Sequence, residues 1–61
     1  MTRIVLERNG FRYVYRIGKR KAEYFRFILG DLDTYNSEIT PDQAEKNIEE
    51  LKRSGFGVVA A

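Results

Sequence analysis

The dipeptide Asn9-Gly10, set between two segments of alternating polar and apolar residues, constrains this chain more than any other feature. Residues 3 to 8 (Arg-Ile-Val-Leu-Glu-Arg) and 11 to 17 (Phe-Arg-Tyr-Val-Tyr-Arg-Ile) carry the two-residue period of half-buried strands. Asn and Gly tolerate the positive φ values that a type I′ turn demands, so the two segments form an antiparallel hairpin. A two-residue loop also fixes the register: Arg8 faces Phe11, Glu7 faces Arg12, Leu6 faces Tyr13, Val5 faces Val14 and Ile4 faces Tyr15. Alternation then gathers Ile4, Leu6, Phe11, Tyr13, Tyr15 and Ile17 on a core face. Arg3, Glu7, Arg12 and Arg16 surround Val5 and Val14 on the outer face.

Beyond the polar turn Gly18-Lys19-Arg20-Lys21, residues 22 to 29 read as a third strand ended by Gly30. A helix also fits the spacing of Tyr24, Phe25, Ile28, Leu29 and Leu32, but the aromatic content favours a strand, and Gly30 would interrupt a helix after two turns. The parity of the turn at Gly18 decides where Phe25 and Phe27 point. An even loop places them on the outer face beside Arg12 and Arg16; an odd loop places them in the core. Core placement is expected, because large exposed apolar patches are uncommon in monomers. Outside the core, the two rings would mark an interface.

Residues 31 to 38 read as an acidic loop, and the helix after it is well delimited. Thr40 fits the N-cap, Pro41 the first helical position and Gln43 the third position of a capping box. Gly55 suits a left-handed terminus, with Phe56 folding back on Leu51 in a Schellman arrangement. The helix is predicted over 41 to 54, with Ala44, Ile48 and Leu51 as its narrow apolar stripe. Val58 and Val59 are available for a short fourth strand at an edge, or as an arm onto a second copy. The fold class is therefore α+β: a single domain over residues 1 to 61, with a three-stranded antiparallel meander packed on one α-helix.

A domain of 61 residues buries about 60 % of the surface its unfolded chain exposes. Domains this small draw added stability from disulfides, metals or self-association, and this chain has neither Cys nor His. That leaves a homo-oligomer as the open route. Without Cys, and with no apolar run long enough for a signal or membrane helix, a cytoplasmic location with no membrane association is expected. Lacking His and Cys, the chain is also without the commonest general base, soft metal ligands and thiol nucleophile, so neither catalysis nor a cofactor is expected. The oxygen donors of Asp31 to Glu38 match the spacing of a calcium loop only loosely: Tyr35 occupies the fifth ligand position and no Gly follows it, so no metal site is assigned.

Charge divides the chain. Residues 1 to 29 hold eight basic residues against two acidic, a balance of +6; residues 30 to 61 hold three against seven, a balance of −4. Arg3, Arg12, Arg16, Lys19, Arg20, Lys21 and Arg26, interleaved with aromatic residues, are the candidate nucleic-acid-binding residues, since cations neutralise phosphates and rings stack on unpaired bases. The competing reading is a solvated sheet face protected by charge against aggregation. Phe25, Phe27, Val58 and Val59 are the candidate interface residues for the alternative function, a protein-interaction module such as a phage-type inhibitor or accessory subunit.

Gly10-Phe11-Arg12-Tyr13, Gly18-Lys19-Arg20-Lys21 and the Thr40 to Leu51 helix, with its early Ala44 and Glu45, together carry a resemblance. The arrangement resembles the small sheet-plus-helix DNA-binding domains at the arm-binding end of phage-type integrases. That resemblance implies a βββα fold and DNA as the partner. The acidic segment 31 to 38 departs from the pattern.

Overall fold

A computed structural model describes residues 1–61 as one five-stranded antiparallel sheet with a single helix on one face. The strands are β1 (Thr2–Arg8), β2 (Phe11–Ile17), β3 (Ala22–Ile28), β4 (Asp31–Ile39) and β5 (Gly57–Ala60), and the helix α1 spans Pro41–Arg53. The spatial order is β4-β3-β2-β1-β5, so the helix carries the chain from one edge of the sheet to the other.

The first hairpin forms as expected, with Asn9 at φ 48° and Gly10 at φ 85°, and β1 and β2 pair in the anticipated register from Arg8↔Phe11 to Thr2↔Ile17. The second connection is a four-residue loop, Gly18 to Lys21, closed by the Gly18 amide donating to the Lys21 carbonyl at 2.9 Å. Ile17 therefore pairs with Ala22 and Val14 with Phe25. The loop is even, and Phe25 and Phe27 lie on the outer face, which corrects the expected core placement. The core has no room for them: Tyr15, Tyr24 and Ala22 occupy the positions that β3 and β2 offer the helix.

The acidic segment is not a loop. Leu29 (φ 51°) and Gly30 (φ 87°) make a second two-residue turn with both φ values positive, and the chain doubles back as the nine-residue strand β4. Gly30 thus turns the sheet instead of ending it. The carboxylates of β4 sit on an edge strand, where charge discourages pairing with another chain. Val58 and Val59 do form a short strand, β5, which lies along β1 and brings the total to five strands instead of the expected three or four.

The helix begins and ends as its sequence dictates. The Thr40 hydroxyl accepts from the Gln43 amide at 3.1 Å, while the Gln43 side chain accepts from the Thr40 amide at 2.9 Å. At the far end the Phe56 amide donates to the Leu51 carbonyl and the Gly55 amide to the Lys52 carbonyl, the two bonds of a Schellman motif. Arg8 adds a third tie, its guanidinium donating to the Ser54 carbonyl at 2.6 Å, where a cation also suits the negative end of the helix dipole.

The core lies between α1 and the sheet. Leu6, Tyr15, Ala22, Ala44 and Ile48 are buried, and Ile4, Tyr13, Ile17, Tyr24, Ile39, Leu51 and Phe56 pack around them. Phe11, at the end of the predicted core face, is exposed. Tyr15 is 2 % exposed. Burial pushes the pKa of its hydroxyl up to about 12, with a hydrogen bond to Asn47 acting the other way.

Candidate functional site

Because α1 covers one face only, the opposite face of the sheet is open, and the register sorts its side chains into three rows running across the strands. The central row is apolar: Ala60, Val5, Val14, Phe25 and Tyr35, contributed by β5, β1, β2, β3 and β4 in turn. Val5 is 4 % exposed within it. Phe25 packs on Tyr35 in a tilted arrangement with ring centroids 4.8 Å apart and stacks on Phe27 at 6.4 Å. On one side runs the row Gly57, Glu7, Arg12, Phe27 and Leu32; on the other runs Arg3, Arg16 and Glu23.

Electrostatics on this face are largely settled within the sheet. Arg12 pairs with Glu7 and Arg16 with Glu23 at 3.2 Å, each a direct cross-strand neighbour. Glu23 also accepts from the Tyr35 hydroxyl at 2.9 Å, which braces the aromatic row. Arg3 has no carboxylate partner.

Of the predicted basic residues, Arg3, Arg12 and Arg16 share the outer face, and Lys19, Arg20 and Lys21 form the loop at one end of β2 and β3 without ion pairs. Arg26 stands apart on the helix side of the sheet. It pairs with Asp33, its Nε donating at 2.8 Å, and the bond raises the guanidinium further above its ordinary value, with Tyr13 adding to the effect. The same bond, helped by the Thr34 hydroxyl, lowers the Asp33 carboxyl. Asp33 reaches Arg26 because a register shift opposite Arg26 and Phe27 makes it the extra residue of a bulge. Of the predicted interface residues, Phe25 and Phe27 are half-buried on the open face, Val59 lines the groove beside them, and Val58 pairs with Leu6 on the other side.

Val5, Val14, Leu32 and Tyr35 were not assigned to this site from sequence. One signal was available: with a four-residue loop at Gly18, Arg16 falls opposite Glu23, just as Arg12 falls opposite Glu7, and both pairs bind opposite charges on the solvent side. The groove that continues from Phe27 towards the turns is lined by Gly10, Phe11 and Leu29. Leu29 is 82 % exposed and its amide donates to the Gly10 carbonyl at 2.8 Å, joining the two turns.

No helix is long and apolar enough to cross a membrane. Comparison of the chain with protein-family models, with curated proteins and with solved structures finds no match. The additional strands β4 and β5 also separate the architecture from the βββα pattern that the sequence resembles.

Proposed function

We propose that this chain is a non-enzymatic protein-interaction module that docks through the open outer face of its sheet. The observation that carries this reading is the pairing of an apolar aromatic row, Val14, Phe25 and Tyr35 with Phe27 and Leu32 beside it, with arginines already matched to Glu7 and Glu23. An exposed patch of this kind at the surface of a small chain suits a protein surface, and aromatic anchors supply most of the binding energy in such contacts. A phosphate backbone would find only Arg3 uncommitted on this face.

Affinity-tagged chain expressed in its native host should recover a stoichiometric protein, and Phe27→Asp should abolish the recovery while leaving the circular dichroism spectrum intact. Equal recovery by both forms would sink the reading.

A second reading rests on the 18 to 21 loop, where Lys19, Arg20 and Lys21 are exposed and free of ion pairs. Together with Arg3 they would hold a nucleic-acid backbone. That function predicts binding of a generic oligonucleotide at low salt that falls steeply as salt rises, and its loss in the Lys19→Ala, Arg20→Ala, Lys21→Ala triple variant. Undiminished binding by the triple variant would remove the loop from consideration.

A further inference from the structure

We infer that the occupant of the open face is a second copy of this chain, arranged about a two-fold axis that runs parallel to β2 between two facing sheets. The inference rests on the interaction reading above and names its partner.

Size complementarity comes first. Among the apolar positions, the β1 and β5 half offers the small Val5, Ala60 and Gly57, with Arg3 and Glu7 flanking Val5 on β1, whereas the β3 and β4 half offers the taller Phe25, Phe27, Leu32 and Tyr35, with Glu23 beside them. An axis along β2 exchanges β1 with β3 and β5 with β4. Phe25 of one copy then covers Val5 of the other, Tyr35 covers Ala60, Leu32 covers Gly57, Phe27 lies over the Glu7 stem where Glu7 pairs with Arg12, and Val14 meets its own counterpart. Large side chains over small ones are what two sheets need to interdigitate at ~10 Å separation.

Charge points the same way. The exchange sets Arg3, which has no partner in its own chain, over Glu23 of the second copy. Arg12 and Arg16 approach their counterparts near the axis, but each keeps a carboxylate beside it in Glu7 or Glu23. A face carrying a single sign could not pack on itself in this way.

Area also suffices. Five strands ~4.8 Å apart, each presenting about seven residues at ~3.3 Å, make a face of roughly 550 Å², so the pair buries about 1,100 Å². That lies just above the lower bound of about 1,000 Å² for a specific interface and among the small contacts typical of reversible association.

Sedimentation of the intact protein should show a monomer–dimer equilibrium. Arg3→Glu should weaken it roughly tenfold or more by setting like charges together, and the double variant Arg3→Glu with Glu23→Arg should restore it to within about threefold of the wild type. A wild type that stays monomeric at millimolar concentration, or a double variant no better than Arg3→Glu alone, would overturn the inference. A photoreactive phenylalanine at Leu32 separates this inference from the interaction reading it rests on. An adduct of twice the chain mass, joined at residues 57 to 60, supports the second copy. An adduct of another discrete mass keeps the face as an interface and overturns self-assembly, and no adduct removes both.

Discussion

Replacing Leu29 with Asn should stabilise this protein. Leu29 occupies the first central position of a two-residue turn at φ 51°, with Gly30 following at φ 87°. An L-residue with an ordinary side chain loses about 1–2 kcal/mol in the left-handed region, whereas Asn tolerates it through local hydrogen bonds. The chain contains its own reference, since Asn9 holds the equivalent position of the first hairpin at φ 48°. Against the relief stands the contact of the Leu29 side chain with Gly10, whose Cβ position, were there one, would lie 2.7 Å from Leu29 Cδ2. Leu29 is 82 % exposed, so the lost burial is small, about 0.4 kcal/mol if full burial of a Leu contributes about 2 kcal/mol. The net gain is about 0.6–1.6 kcal/mol, a rise in melting temperature of roughly 2–13 °C for a domain of this size. Thermal unfolding followed by circular dichroism, paired with urea titration at constant m-value, reads it. An unchanged or lowered melting temperature would refute the strain account and show that the contact with Gly10 dominates.

Three other expectations concern the core and the cap. Thr40→Ala removes one hydroxyl from the capping box and should lower unfolding free energy by about 1 kcal/mol in urea titration. Leu6→Ala, at a site with no exposure at all, should lower it by about 2–5 kcal/mol, enough in so small a domain to shift much of the population to the unfolded state in a proton spectrum. Tyr15 supplies a pH test. Its hydroxyl ionises near 10 when unfolded and near 12 when folded, so the folded state holds the proton more tightly. Its contribution to stability is fully present below pH 10 and is lost as pH rises from 10 through 12. Unfolding free energy measured across that window should fall more steeply for the wild type than for Tyr15→Phe; parallel curves would count against the burial account.

Much of this architecture was legible because each signal was local. Asn9-Gly10 sets a turn whose φ values follow from two residues, and the Thr40 to Gln43 box and the Gly55 terminus name their own partners within a few positions. The β1–β2 register needed nothing more than the turn length. Phe25 and Phe27 were different, because their placement depended on the parity of a four-residue loop, and burial preference pointed inwards while the cross-strand charges Arg16 and Glu23 pointed outwards. The core was already filled by three tyrosines, a fact that alternation within one strand does not display. Strand β4 was hidden for two reasons. Its acidic composition suits an exposed edge as well as a loop, and Leu29-Gly30 is a turn that uses a residue poorly suited to it. With β4 missing, Tyr35 and Leu32 had no face to belong to.

The four-residue connection from Gly18 to Lys21 has a genetic consequence. Loss or gain of a single codon there, with β3 pairing retained, would rotate the whole strand by half a turn. Phe25 and Phe27 would be driven towards a core already full, while Tyr24 and Arg26 would be delivered to the open face. Such an indel would act at a distance from most of the residues it affects, exchanging the apolar aromatic row of the open face for a basic aromatic one without altering a side chain on either. Reading frames that tolerate point changes throughout this loop should therefore tolerate length changes there only in pairs.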